Sequence, residues 1–349
     1  MQQAYDIAAT YRENFQRGPQ LEPPPAFPAT PANERVEFLG QAVNSRLGIA
    51  AGLLLNAKWI EGYAARGWDL LSYKTVRSAA RECYPPPNWA FVNADAGNGP
   101  VYAMDDLPDD PAAISSAVCF GMPSMPPEFW REDIARAKSA IGDGQMLIVS
   151  VVASPEPGWS AAQVADDYAQ CAAWAAEAGA DVIEANFSCP NVCSAEGQIY
   201  CDANLSEAVT QTIRGAIGGT PLLLKIGVFP NAENQRAFLH AVAGYATGIT
   251  LVNGISRAVL HPDGRPVFGE DYVKAGVLGR IIHEPCVDAV REARAVIEHE
   301  NLPLALAAVG GVSSAADYQD FIKAGADAIL CGSSPMYLPH LACEIKNTL

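Results

Sequence analysis

A cysteine stands between two asparagines in the stretch EANFSCPNV, residues 184–192, directly after an apolar run. Polar residues at the ends of strands are candidates for a site, and Asn186 and Cys189 stand where this apolar run ends. A catalytic role for Cys189 is one interpretation of the stretch. The alternative is a turn in which the cysteine packs as a small apolar side chain.

Two lysines end otherwise apolar runs of an acidic chain. Lys74 follows DLLSY and is followed by Thr75, whereas Lys225 follows PLLL. An unpaired ammonium at a buried strand end is costly, so each lysine is expected to face an anion or an electron-rich ring. Asn253 ends a further apolar run, GITLVN. These side chains are therefore candidates for one polar site.

Glycine-rich turns follow the last two apolar runs. AVGGVSSAAD places Gly310 and Gly311 before a helix, and LCGSSPMY places Gly332 and Ser333 in the same way. Glycine allows backbone N–H groups to approach a phosphate at a helix N-terminus, and parallel α/β barrels bind phosphate in this region. Two tight turns that hold no ligand are the alternative.

Composition favours a small-molecule ligand. The chain has 349 residues, half of them hydrophobic, and a formal net charge of −16. This charge and the absence of a basic run argue against nucleic acid and anionic membranes as partners. No apolar stretch reaches the roughly twenty residues of a membrane span, and the first residues lack the order of a signal peptide. A cytoplasmic location is therefore predicted.

The nine cysteines include no CxxC pair, which argues against a disulfide framework or an iron–sulfur cluster. Cys189, Cys193 and Cys201 could be interpreted as metal ligands. No histidine or fourth cysteine lies close to them in the sequence, so no metal site is predicted.

Eight apolar runs alternate with helical patterns to the end of the chain. Continuous apolar strands are typical of a parallel sheet covered by helices on both faces. A (β/α)₈ TIM barrel is therefore predicted, with a doubly wound sheet as the alternative; no GxGxxG follows the first strand. The predicted strands are residues 47–53, 69–75, 145–153, 181–187, 221–227, 248–254, 303–311 and 326–332.

Two units are predicted. Residues 1–45 form a short helix, a Pro-rich connector and a hairpin that closes one end of the barrel, and residues 46–349 form the barrel. The excursions over residues 76–126 and 254–284 are long for a compact domain, which is typical of functional loops, and they are candidate lids.

The segment NFSCPN (186–191) resembles the active-loop motif of FMN-dependent dihydroorotate dehydrogenases and of the flavin domain of dihydropyrimidine dehydrogenases. SYKT, LLLKIG, LVNG, GVLGRIIHEP and AAVGGVSSAADYQDFIKAGADAILCGSS are similar to the family in the same order, over residues 35–345. The resemblance implies an FMN-binding barrel that interconverts a dihydropyrimidine-type ring and its C5–C6 unsaturated form by hydride transfer. It also implies a homodimer, to which a partner chain could add electron-transfer centres.

The resemblance implies a role for each matching residue. Cys189 is the acid or base, Lys225 stabilises the reduced flavin, and Lys74 lies near flavin and substrate. Asn186, Asn191 and Asn253 hold the substrate ring, and Val118 lies where the family has a further substrate-binding asparagine. The flavin and its phosphate are expected at Ala50, Ala51, Gly52, Lys74, Thr75, Lys225, Gly279, Gly310, Gly311, Gly332 and Ser333.

Two loops depart from the family pattern. RECYPPPN (81–88) replaces a basic loop, and SAVCFGMPS (116–124) carries Val118 in place of the asparagine. Both changes favour a ring less polar than dihydroorotate. The other functions considered are an FMN-free phosphate-binding isomerase, which has no use for NFSCPN, and a flavin-binding protein without catalysis.

Overall fold

The structure is a computed structural model that describes residues 3–24, 30–93, 99–188 and 198–348. Its strands, in chain order, are β1 (Val36–Phe38), β2 (Gln41–Val43), β3 (Leu47–Leu54), β4 (Leu70–Arg77), β5 (Trp89–Asn93), β6 (Val101–Ala103), β7 (Ser115–Val118), β8 (Met146–Val152), β9 (Val182–Asn186), β10 (Leu222–Ile226), β11 (Gly248–Leu251), β12 (Ile255–Leu260), β13 (Lys274–Gly279), β14 (Ala305–Val309) and β15 (Ala328–Cys331). Its helices are α1 (Tyr11–Arg17), α2 (Ala57–Ala64), α3 (Pro127–Ala140), α4 (Ala161–Glu177), α5 (Ala203–Ile217), α6 (Ala232–Val242), α7 (His283–His299), α8 (Ala315–Lys323) and α9 (Leu341–Lys346).

Eight parallel strands close into a barrel in the order β3, β4, β8, β9, β10, β11, β14, β15, and β15 pairs with β3. Each of these strands is followed in the chain by one of the helices α2–α9. The strands are buried on both faces, as in β8, where every residue is buried, because helices cover the outside and side chains fill the inside. The predicted (β/α)₈ barrel is confirmed.

The short hairpin of β1 and β2 closes the amino-terminal end of the barrel. Val36 pairs with Val43 in antiparallel register. Phe38 and Val43 pack against the inward side chains of the barrel strands, among them Leu70, Met146 and Val182. The hairpin therefore completes the apolar interior at that end, as expected from the sequence.

The two excursions predicted as loop-like lids form a second closed sheet. Its five strands run in the order β12, β13, β7, β5, β6, and β7 pairs antiparallel with both β5 and β13. Strands from one excursion thus complete the sheet begun by the other. The sequence did not predict this sheet, because its partners lie far apart along the chain.

The segment around α1 attaches to the second sheet by aromatic contacts. Helix α1 begins with a capping box in which Thr10 and Glu13 exchange hydrogen bonds. The Tyr5 ring stacks on Trp89, with a centroid separation of 6.2 Å, and the Tyr11 ring lies 6.1 Å from that of Phe120.

Among the described residues, no helix has the length and hydropathy needed to cross a bilayer.

The hairpin generates a test of barrel closure. Phe38→Ala should lower the free energy of unfolding in urea by about 3 kcal/mol, because it leaves a cavity against the barrel interior. Val36→Ala is the matched control on the same strand: Val36 is 39% exposed and Phe38 4%, and a change at an exposed position is expected to stay within about 0.5 kcal/mol. Equal losses in the two variants would show that the hairpin does not seal the barrel.

Candidate active site

A cavity lies between the carboxyl ends of the barrel strands and the second sheet. It receives residues from β3, β4, β9, β10 and the turns after β11, β14 and β15. Every described residue predicted to bind cofactor or substrate lines it: Ala50, Ala51, Gly52, Lys74, Thr75, Val118, Asn186, Lys225, Asn253, Gly279, Gly310, Gly311, Gly332 and Ser333. The structure thus brings these residues together, whereas their individual roles stay predictions.

Two asparagines meet at the mouth of this cavity. The Asn253 amide donates to Asn186 Oδ1 at 3.4 Å and also to the carbonyl oxygen of Ser188. The Asn186 Nδ2 group lies 3.6 Å from the sulfur of Met122. Cys189 and Asn191 follow Ser188 in the chain but lie outside the described residues. Asn186 of the motif and Asn253 from the turn after β11 therefore present two hydrogen-bonded amides to the cavity.

Lys74 lies at the cavity wall, 8% exposed. Its ammonium donates to the carbonyl oxygens of Thr75, at 3.2 Å, and Pro123. It also lies 5.7 Å from the centroid of the Tyr11 ring, within the range of a cation–π interaction. Thr75 shares a 3.0 Å hydrogen bond with Ser150. The cation is thus held in place by carbonyl groups and by an aromatic face.

Lys225 forms the second cationic element of the cavity. Its ammonium lies 3.2 Å from Glu184 Oε1, and the two side chains are 4% and 0% exposed. The strand register aligns Lys225 with Asn186, so Glu184, two residues earlier on β9, lies on the same inward face and deeper in the barrel. Glu184 was not predicted as a site residue from the sequence. The feature that could have revealed it is a carboxylate inside an apolar strand, two residues before Asn186 and therefore on the same face.

The glycine turns form a tightly packed cradle at one side of the cavity. Gly279 and Gly311 have φ angles of 87° and 63°, and a Cβ at Gly311 would lie 2.5 Å from the Gly279 carbonyl oxygen. Both positions therefore require glycine. His283 Nδ1 lies 3.0 Å from the Gly310 carbonyl oxygen. At Gly332, by contrast, a Cβ would meet no atom within 4 Å, so that backbone faces open space.

Aromatic and aliphatic side chains form the rest of the wall. Trp89, Phe120 and Leu278 come from the second sheet and its loops, and Tyr5 and Tyr11 from the segment around α1. Burial raises the pKa of the Tyr11 phenol well above its usual range, so the phenol stays neutral. These residues were not predicted from the sequence, because no local pattern connects residues 5–11, or the strands of the second sheet, with the barrel mouth.

A flavin mononucleotide fits this donor set. The open backbone at Gly332 and the glycine turns beside the N-terminus of α8 suit one phosphate. The apolar wall suits an aromatic ring system, and two ammonium groups suit a ring that gains negative charge on reduction. The residues that would hold the group are Gly279, Gly311, Gly332 and Ser333 at the phosphate and Ala50, Lys74 and Lys225 at the ring.

Fold and cavity define a (β/α)₈-barrel protein with a cavity at the carboxyl ends of the strands. The family model for dihydroorotate dehydrogenase matches residues 139–349. The dihydroorotate dehydrogenase of Dictyostelium discoideum is 31% identical over 98% of this chain and 96% of its own length. The chain therefore belongs to the dihydroorotate dehydrogenase family, a family of oxidoreductases.

Two further comparisons extend this result. The catalytic subunit of dihydroorotate dehydrogenase B (NAD(+)) from Staphylococcus carnosus is 28% identical over 54% of this chain and 59% of its own length. The crystal structure of DHODH from Eimeria tenella in complex with ferulenol superposes with a TM-score of 0.70, covering 89% of this chain and 82% of that chain, at 16% identity. That likeness concerns the fold. The loops carrying RECYPPPN and Val118 precede the range that the family model matches.

Proposed function

We propose that this protein is an FMN-dependent oxidoreductase that interconverts a dihydropyrimidine-type ring and its C5–C6 unsaturated form. The observation that carries the proposal is the cavity itself, in which a glycine cradle, two lysines and a pair of coupled asparagines converge. FMN, when bound, accepts or supplies the hydride. Family membership supports the class of reaction.

The described side chains have separable tasks in this proposal. Asn186 and Asn253 hold the imide edge of the ring, because each amide can donate and accept. The Asn253 amide lies 3.4 Å from Asn186 Oδ1, so the two side chains lie side by side at the cavity before substrate arrives. Lys225 stabilises negative charge on the pyrimidine side of the reduced flavin, and Lys74 stabilises charge near the substrate.

Cys189 is proposed as the acid or base, on the strength of the motif NFSCPN. The residue lies outside the described residues, but its chain neighbour Ser188 accepts from Asn253 at the mouth of the cavity. In its thiolate form, Cys189 would take the proton from C5 of the ring, and FMN, when bound, would accept the hydride from C6. Asn186 and Asn253 would hold the ring in position for that proton transfer.

A phosphate-binding isomerase explains less of the cavity. An isomerase would use the glycine cradle for phosphate. The two lysines and the hydrogen-bonded asparagines of the cavity, however, would have no role in it. A flavin-binding protein without catalysis would retain the cradle and have no need for the cysteine of the motif NFSCPN. The flavin spectrum separates the first alternative from the proposal, and turnover separates the second.

The substrate ring is proposed to be less polar than dihydroorotate. The relatives are named dihydroorotate dehydrogenases. Dihydroorotate carries a carboxylate on its ring, and Lys74 could pair with that carboxylate. Val118, however, lines the cavity beside Trp89 and Phe120, and it supplies no hydrogen-bond donor. Apolar contact there suits an unsubstituted or methylated ring, such as dihydrouracil or dihydrothymine, or another cyclic imide.

The cofactor assignment is tested at Gly332. Purified protein is expected to be yellow and to release FMN on denaturation. Gly332→Leu should weaken FMN binding by roughly ten- to a hundredfold, because loss of a hydrogen bond to a charged group costs about 1.5–3 kcal/mol. Gly215→Leu is the control, since that glycine is exposed on α5 and also has open space around it. Equal FMN affinity in the two variants would contradict the phosphate assignment.

The acid–base assignment is tested by stopped-flow reduction of the flavin. Cys189→Ala should retain FMN but reduce the rate of flavin reduction by substrate at least about a hundredfold, the usual cost of losing a general base. Cys193→Ala should leave the rate near that of the wild type. Equally fast reduction in the Cys189 variant would make the thiol a packing residue only.

The substrate class is tested by titrating the flavin spectrum with orotate, uracil and thymine. Wild type should bind orotate weakly, since a group that lacks its partner costs about 1–3 kcal/mol. Val118→Asn should strengthen orotate binding and leave uracil binding largely unchanged. Tight orotate binding by the wild type, with no gain in the variant, would return dihydroorotate as the substrate.

A further inference from the structure

A buried ion pair lies directly below the cavity. Glu184 is fully buried, and Lys225 Nζ lies 3.2 Å from its Oε1 atom. Neither carboxylate oxygen has a hydrogen-bond partner among the described residues. A carboxylate in such surroundings is expensive unless a charge compensates it. Lys225 therefore compensates the negative charge of Glu184 and lowers the free-energy cost of burying it.

The pair connects the barrel interior with the site. Lys225 and Asn186 line the cavity, whereas Glu184 lies below them on the same inward face. On β8, the register places Ser150 beside Glu184, and the Ser150 hydroxyl is engaged with Thr75. The carboxylate consequently acts on bound ligands through Lys225 and does not contact them.

We propose that Glu184 is a positioning residue and counter-ion that sets the effective positive charge of Lys225 toward a bound flavin. This inference rests on the proposed function. An isolated ammonium beside the ring would favour the reduced, negatively charged flavin strongly. A carboxylate 3.2 Å from that ammonium offsets part of its field. Glu184 therefore keeps the reduction potential of the flavin lower than Lys225 alone would set it.

A second buried pair provides a matched control. Lys346 Nζ lies 2.5 Å from Asp69 Oδ2, and the side chains are 11% and 2% exposed. Asp69 directly precedes β4, so this pair lies at the opposite end of the barrel from the cavity. Neutralising either carboxylate disturbs a buried pair, but only Glu184 adjoins the site. A purely structural role thus predicts similar behaviour for both positions.

The experiment measures the midpoint potential of FMN in the holoprotein by equilibration with a reference dye. Glu184→Gln should shift the oxidised-to-reduced equilibrium at least about tenfold toward reduced flavin, which is about 30 mV upward for a two-electron couple. Asp69→Asn should lower the midpoint of thermal unfolding and leave the potential unchanged. A potential equal to that of the wild type in folded Glu184→Gln holoprotein would overturn the inference.

A second variant keeps the test decisive if Glu184→Gln does not fold. Glu184→Asp keeps the carboxylate but shortens the side chain, so the negative charge moves away from the Lys225 ammonium and offsets less of its field. The flavin potential should rise in this variant too, by less than in Glu184→Gln. A potential equal to that of the wild type in folded Glu184→Asp holoprotein would reduce Glu184 to a structural role. A wild-type protein that binds no FMN would overturn the proposed function and this inference together.

Discussion

Closure of the parallel sheet is the constraint on which the other features depend. The barrel exists because β15 pairs with β3, which brings Cys331 beside Ile49. Once the ring of strands is closed, the carboxyl ends of all eight strands point to one mouth, and residues far apart in the chain become neighbours. Lys74, Lys225 and Asn253 share a cavity for this reason.

The barrel interior changes character along its axis. At the amino-terminal end it is apolar and is completed by Phe38 and Val43 of the hairpin. Toward the mouth it contains the Glu184–Lys225 pair and the Thr75–Ser150 hydrogen bond. The apolar half stabilises the fold through burial, whereas the polar half contains buried polar groups that cost stability, a pattern typical of functional sites.

The sequence predicted the elements whose signals are local. The barrel strands are mainly apolar, because both of their faces are largely buried, and such runs are recognisable without any knowledge of the partners. The glycine turns and the strand-end lysines were recognisable for a similar reason, since their residue types conflict with an ordinary strand or helix. All of the described residues selected in this way line the cavity.

Other features depend on contacts that the sequence does not display. Strand β6 covers only Val101–Ala103, which is too short for a recognisable strand pattern in the sequence. Its partner β12 comes from the other excursion, so the pairing has no local sequence pattern either. Tyr11 reaches Lys74 only because α1 packs against the second sheet. Glu184 pairs with Lys225 only because of the register between β9 and β10. That register aligns Lys225 with Asn186, so Glu184, two residues before Asn186, lies diagonally across from Lys225 on the inward face.

The pairing of β3 with β15 has a consequence for synthesis on the ribosome. Leu47 finds its parallel partner Ile329 only after the long intervening segment, which holds the other six barrel strands, has emerged. Until then β3 has an unpaired edge, and the apolar side chains of the partial barrel face solvent, a state that is prone to aggregation. Such distant pairing also slows folding, because the entropy of closing a long loop is lost before the contact is gained. The yield of folded protein should therefore increase when translation is carried out at low temperature or when chaperones that shield open sheet edges are present.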